Sequence, residues 1–152
     1  MMDDFLSKIS IIISSEKIDK LLEASILAST SSTMNWDAEL FFTFWGLLAL
    51  KKGFEAKKVS SDYSEYEDLL QKNMKSGSIP GWKELLIKAK ESGNVKIFAC
   101  STTLGMFGID KENLEEFVDD VVGAATFLSR AKESDINLFI SWDERLWKTI
   151  RV

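Results

Sequence analysis

Apolar positions along this chain fall into two patterns, short unbroken runs and longer stretches spaced as one face of a helix. Lys8 to Ser14 reads Lys-Ile-Ser-Ile-Ile-Ile-Ser, a β-branched run that suits a strand covered on both faces. Ser15 then opens a predicted helix with Ile18, Leu21, Leu22 and Ser25 along one side, fading into the small-residue run Ala28 to Thr33. Glu39 to Phe44 is a second strand candidate, and Leu47 to Gly53 reads as a short helix closed by glycine. Glu55 to Val59 fits an edge strand. Tyr66, Leu69, Leu70 and Met74 share a helical face, and Gly77, Pro80 and Gly81 punctuate a loop. Trp82 to Glu91 is a helix with Trp82, Leu85, Leu86 and Ala89 inward.

Val95 to Cys100 is the third clear strand, followed by a loop or short helix from Ser101 to Gly108. Asp110 to Ala131 has the strongest helical pattern, with Leu114, Phe117, Val121, Ala124 and Leu128 as its stripe. In that helix the acidic set from Asp110 to Asp120 is a solvated face, and Gly123-Ala124-Ala125 permits close packing. Asn137 to Ile140 is a last strand, and Asp143 to Ile150 a C-terminal helix. Ile9 to Ile13, Leu40 to Phe44, Val95 to Ala99 and Leu138 to Ile140 are all expected in the sheet interior. Strands alternating with helices predict parallel β-α-β units with right-handed crossovers. The expected fold is one α/β domain over 1–152, a three-layer α/β/α sandwich with a mostly parallel sheet of about four to five strands.

Composition narrows the chemistry. The chain has 152 residues, 45% of them apolar, enough for a full core without disulfide or metal staples. It has one cysteine, so no intrachain disulfide can form, and a lone thiol suits a reducing, cytoplasmic setting. It has no histidine, which removes Ser-His-Asp and Cys-His catalysis and the usual metal ligands, so no metal site is expected. The glycines form neither a dinucleotide fingerprint nor a Walker loop, and no cofactor is expected. A net charge of −5 without a basic stripe argues against nucleic acid. The longest apolar stretch, Ala38 to Leu50, contains Glu39 and is too short for a transmembrane segment.

Open α/β sheets bind ligands beyond the carboxyl ends of their strands. Those ends are Ser14-Ser15, Thr43-Phe44-Trp45-Gly46, Cys100-Ser101-Thr102-Thr103 and Ser141-Trp142. Cys100 is the candidate catalytic residue. A helix beginning after it would aim amides at the sulfur and favour the thiolate. Ser14, Ser15, Thr43, Trp45, Ser101, Thr102 and Thr103 are the candidate substrate-binding residues. The competing reading makes Cys100 a small buried hydrophobe that closes a strand. Trp36, Phe41, Phe42, Phe44 and Trp45 concentrate aromatic surface, mostly core; any exposed remainder predicts a homo-oligomer.

The segment from Val95 to Ile109, with Cys100-Ser101-Thr102-Thr103 at its centre, resembles the cysteine segment of DsrE/DsrF-like proteins. Phe41 to Leu47 is similar to the second-strand signature of one DsrE branch, and Gly123 to Leu128 to the helix downstream of the cysteine. The likeness spans roughly Lys8 to Ile140. These are sulfur-trafficking proteins, some labelled peroxiredoxin-like. The resemblance implies a cytoplasmic, often homo-oligomeric α/β domain. It implies that a cysteine, here at position 100, holds sulfane sulfur as a persulfide or thiosulfonate. The partner would be a sulfur-donor or sulfur-acceptor carrier protein. Three functions follow: a sulfur carrier or sulfurtransferase, a peroxiredoxin-like thiol oxidoreductase, and a non-catalytic oligomeric binding subunit. Thiol reactivity separates the first two from the third, and sulfane donors against peroxide separate the first from the second.

Overall fold

In the computed structural model, residues 7–141 are described, and they form a five-stranded sheet whose pairings are all parallel. The strands are β1 (Lys8–Ile13), β2 (Asp37–Phe42), β3 (Val95–Cys100), β4 (Asp120–Val122) and β5 (Ile136–Ile140). Their order across the sheet is β4-β3-β2-β1-β5. Chain order therefore runs steadily from β1 to β4, then reverses across the whole sheet to reach β5. With right-handed crossovers, that reversal puts the last helix on the opposite face from the earlier ones.

The helices are α1 (Ile18–Thr33), α2 (Trp45–Leu48), α3 (Glu67–Lys75), α4 (Trp82–Ser92), α5 (Ser101–Phe107) and α6 (Ala124–Ala131). On one face α1 packs against α4 over the buried side chains of Ile9, Ile11, Ile13, Leu40, Phe42 and Ile97. On the other face Phe127 of α6 stacks on Phe41, ring centroids 4.6 Å apart, and meets Phe98 edge-on at 6.4 Å. The architecture is the α/β/α sandwich that the strand–helix alternation predicts.

The serine- and threonine-rich end of α1 does not fade. Ser25, Thr30, Ser31 and Thr33 each donate their hydroxyl to the carbonyl four residues back, so the helix carries its polar side chains on its own backbone. Ser32 instead reaches across to the Ala89 carbonyl at 3.1 Å, where a Cβ on Gly93 would stand 2.1 Å from the Ser32 oxygen. Small residues here let α1 and α4 approach closely.

The long helix expected over Asp110 to Ala131 is not formed. A 3-10 turn at Lys111–Asn113 leads to an antiparallel bridge between Leu114 and Lys51. Lys83 bonds Glu115 at 2.7 Å, and Trp82 meets Phe117 edge-on. The chain then pairs with β3 as β4, and Gly123 caps α6 rather than sitting inside a helix. Asp119 explains the crossing. Its carboxylate accepts the Ile97 amide at 2.7 Å and pairs with Lys90, so it is a structural ligand of the β3 edge rather than part of a solvated helix face. Helical spacing of Leu114, Phe117 and Val121 was satisfied by three separate contacts, not one stripe.

Glu55 to Val59 forms no strand; the Lys58 carbonyl accepts the Ile18 amide at 2.8 Å and so anchors the start of α1. β5 is an edge strand, not an interior one. Ile136 to Phe139 are exposed and only Ile140 is buried, because the reversal leaves β5 with β1 as its sole neighbour among the described residues. The helix expected over Asp143 to Ile150 lies outside the described residues.

One polar cluster sits within the α6 face. Glu39 of β2 is buried and binds Arg130 of α6 through two hydrogen bonds, 2.5 and 3.0 Å, with Lys8 of β1 at 3.3 Å. Burial pushes the Glu39 carboxyl up, but hydrogen bonds and charges from Arg130 and Lys8 outweigh it and hold the carboxyl below its usual value.

Candidate functional site

Strand register places the candidate residues in a single row. The pairings Ile13↔Phe42, Phe42↔Ala99 and Ile13↔Ile140 put Ser14, Thr43, Cys100 and Ser141 side by side, one step beyond. The ladder continues into that step, with Ser14 donating its amide to Ile140 and Thr43 to Ile13, both at 3.0 Å. Alternation along the strands turns all four toward the α6 face, above the Phe98, Phe41 and Ile12 row. A thiol and three hydroxyls thus line the carboxyl edge of four adjacent strands.

Cys100 is buried, 4% exposed, and is the N-cap residue of α5. Its extended backbone ends β3 and hands the chain directly to the helix. Burial alone would raise its thiol pKa. Hydrogen bonding from the Thr103 and Thr43 hydroxyls, and from the Thr103 and Thr102 amides, outweighs that and holds the thiol below its ordinary value of 9.0. Thr103 is itself fully buried. Its oxygen accepts the Phe44 amide at 3.0 Å and lies 3.2 Å from the Thr43 oxygen. The two hydroxyls have one proton each to share among three contacts: Thr43 to Thr103, and each of them to sulfur. A charged sulfur draws both protons to itself.

The turn after β2 is built for close approach. Phe44 has φ 47° and ψ −126°, a conformation that costs a non-glycine residue about 1–3 kcal/mol. It is held there by the bond to Thr103. Two residues on, a Cβ at Gly46 would lie 2.2 Å from the Ile13 carbonyl oxygen. Only glycine lets α2 begin directly over the end of β1. The result is an aromatic rim: Trp45 is half exposed, stacks on Phe107 of α5 at 5.4 Å, and meets Phe44 edge-on.

A cleft of about 390 Å³ opens beneath that rim, lined by Ser14, Thr43, Phe44, Trp45, Phe139 and Ser141. Cys100 is not in its wall. Thr43 stands between, lining the cleft and sharing a hydrogen bond with Thr103 behind it. A somewhat larger groove, about 460 Å³, lies at the start of α1 among Lys57, Lys58, Glu67 and Gln71. It holds no nucleophile, and its size alone does not make it the site.

Of the residues singled out from sequence, Ser14, Thr43 and Trp45 meet at the cleft, and Thr103 joins them from behind. Thr102 contributes its amide to the sulfur, while its side chain and that of Ser101 are exposed on the first turn of α5. Ser15 is placed elsewhere. It is fully buried, and its hydroxyl accepts the Lys17 amide at 3.2 Å, a turn ahead of α1. Phe139 was missed as a wall residue because its apolar run reads as an interior strand. Among the described residues there is no group of side chains arranged to hold a metal ion, and no helix is long and apolar enough to cross a membrane.

Comparison with known proteins gives this geometry a context. A model of the DsrE/DsrF/DrsH-like family matches residues 6–67 and 63–139. The sulfur carrier protein DsrE2 of Allochromatium vinosum is 30% identical, over 88% of this chain and 98% of its own. The uncharacterized protein YrkE of Bacillus subtilis is 27% identical, over 86% and 95%. Among solved structures, the ychN protein from E. coli superposes with a TM-score of 0.58 at 18% identity, covering 89% of this chain and 99% of its own. A protein of unknown function, MTH1491 from Methanobacterium thermoautotrophicum, does so with 0.51 at 19%, covering 88% and 98%. At these identities the two structures speak for the fold alone.

Proposed function

The chain belongs to the DsrE/DsrF/DrsH-like family, and from that premise we propose that it is a sulfur carrier that holds sulfane sulfur on Cys100 and passes it to a partner. The observation that carries this reading is the placement of Cys100, buried at the end of β3 and N-cap of α5, beside the Thr43–Thr103 hydroxyl pair, a setting whose donors favour the thiolate. A purely structural cysteine gains nothing from such donors, because a neutral thiol packs well without them. The relative from Allochromatium vinosum, the sulfur carrier protein DsrE2, points the same way.

The chemistry requires no base. The Cys100 thiolate attacks the outer sulfur of a donor persulfide. A sulfur–sulfur bond forms to Cys100, the donor's own sulfur–sulfur bond breaks, and the donor leaves as a thiolate with the electron pair. The step is redox-neutral. Delivery is the same reaction in reverse, with an acceptor thiolate attacking the outer sulfur of the Cys100 persulfide. The product persulfide is anionic, so the Thr43 and Thr103 hydroxyls hold it as they held the thiolate. A peroxidase cycle would need a resolving thiol after the sulfenic acid forms, and this chain has one cysteine.

In this reading the full chain, 1–152, is one domain, working in the cytoplasm with a donor or acceptor carrier protein. It assembles as a homo-oligomer through the α6 face, where Leu128 is exposed. The test is intact-protein mass spectrometry after incubation with polysulfide, tetrathionate or a persulfidated carrier protein. Wild type should gain one sulfur atom or one thiosulfonate group, and Cys100→Ser should gain none while keeping its fold. Identical masses for the two proteins with every donor would sink the proposal.

A further inference from the structure

The cleft beside the thiol has a composition that an inorganic sulfur anion does not call for. Phe44, Trp45 and Phe139 are 47%, 48% and 63% exposed around its rim, a concentration of aromatic surface that water would not leave bare without cost. Its floor is the hydroxyl row Ser14, Thr43 and Ser141. Ser14 is 7% exposed, faces the cleft, and makes no hydrogen bond through its hydroxyl to any described residue. That hydroxyl opens into the cleft rather than being sealed in the core, so a ligand's polar atom can reach it and replace water there.

Charge points the same way. Among the described residues no lysine or arginine lines the cleft. Of the cations on this face of the sheet, Lys8 and Arg130 are committed to Glu39, and Lys96 lies beside Glu39 in the register, all at the opposite end of the strands from the hydroxyl row. The whole chain carries −5, which repels a dianion as it approaches. The volume, about 390 Å³, lies in the lower part of the range for small-molecule sites, roughly 300–1,000 Å³.

We infer that this cleft binds the uncharged organic body of a low-molecular-weight persulfide, R–S–SH, between Trp45 and Phe139, with the sulfane sulfur directed past Thr43 to Cys100. The inference rests on the sulfur-carrier reading and adds the substrate class. Ser14 and Ser141 hydrogen-bond the polar atoms nearest the reacting sulfurs, and the aromatic rim covers R. In the transfer, the Cys100 thiolate attacks the outer sulfur of R–S–SH. Its bond to the inner sulfur breaks, Cys100–S–SH forms, and R–S⁻ departs and takes a proton from water. Thiosulfate and tetrathionate fit the same thiol poorly, because the described residues of the cleft offer no cation to replace their hydration.

The experiment compares two persulfides of one chemistry and different bodies, benzyl persulfide and mercaptosuccinate persulfide, with thiosulfate, tetrathionate and a persulfidated carrier protein alongside. Loading of Cys100 is followed by intact mass, and each rate is divided by that of free N-acetylcysteine with the same donor. Benzyl persulfide should load faster than its charged counterpart by on the order of tenfold, which corresponds to about 1.4 kcal/mol of selectivity. Trp45→Ala and Phe139→Ala should each lose most of that preference while their circular dichroism spectra stay those of the wild type. Benzyl alcohol should slow loading of the unaltered protein by benzyl persulfide, saturably, without slowing the reaction of free N-acetylcysteine with the same donor, so the test does not depend on either variant folding. Equal loading from both bodies, or faster loading from the charged one, overturns the inference and leaves the carrier reading standing. Loading from the carrier protein alone overturns it in favour of a macromolecular donor. No loading from any donor overturns the carrier reading itself, and this inference with it.

Discussion

Two hydroxyls decide what the thiol of Cys100 can do. Thr103 is fully buried, and its oxygen already accepts the Phe44 amide, so its proton is free for the sulfur. Thr103→Val keeps the shape and removes that proton. Because the folded thiol sits below its ordinary value of 9.0, more thiolate is present at neutral pH than in a free cysteine. The pH profile of iodoacetamide alkylation in wild type should therefore have its midpoint below 9.0, and Thr103→Val should move that midpoint upward. A midpoint that stays put would mean that Thr103 serves only the Phe44 turn. At this scale the sequence was informative about position and silent about partners. Cys100, Thr43 and Ser14 could be placed at strand ends from their apolar runs alone. That Ser15 turns inward, and that Thr103 rather than Ser101 or Thr102 brings its hydroxyl to the sulfur, depends on rotation about the first turn of α5 and on the path into α1. Neither has a periodic signature.

Elements fail and succeed here for identifiable reasons. The strands were legible because fully covered parallel strands leave continuous apolar runs. The stretch from Asp110 to Ala131 was not, because a helix and a chain that drops successive apolar residues into different pockets share the same spacing. What distinguishes them is the tertiary competition offered by the β3 edge and the base of α4. Two substitutions test this level. Gly46→Ala forces a methyl group against the Ile13 carbonyl, and neither backbone can withdraw without breaking the Thr43–Ile13 ladder. It should destabilise the fold by about 2 kcal/mol or more, read as a lower urea midpoint at unchanged slope. Arg130→Met strips Glu39 of its two closest bonds and leaves a buried carboxylate with Lys8 alone. The expected loss is about 3 kcal/mol at neutral pH. The pH dependence has a definite sign. Glu39 titrates below its usual 4.5 in the folded protein, so the pair stabilises fully above that value and the contribution disappears as the pH falls beneath it. The difference between wild type and Arg130→Met should narrow in that acid window, and a difference independent of pH would refute the ionic account.

Across the whole molecule, coverage of the two sheet faces by the described residues is unequal. α1 and α4 pack over the central strands of one face, leaving Ile136 and Leu138 of β5 exposed, whereas the eight residues of α6 lie over the β2–β3 side of the other. Leu128 projects from α6 at 60% exposure. If a second copy covers it, Leu128→Glu should shift light scattering toward the monomer while leaving the circular dichroism spectrum intact. A wild-type monomer at micromolar concentration would count against assembly altogether. The strand order also has a consequence in time. β5 reaches β1 across a separation of 127 residues, the span between Lys8 and Asp135, and it emerges last during synthesis on the ribosome. Strands β2, β3 and β4, with Cys100 and its hydroxyl donors, have all their pairing partners before β5 exists. Until then the outer edge of β1 stands open, a β-branched strand with unpaired amides and carbonyls. Long loop closure makes its capping by β5 the slow step. A nascent chain stalled before Ile136 would already hold its nucleophile in place, while the far wall of the cleft was still to come.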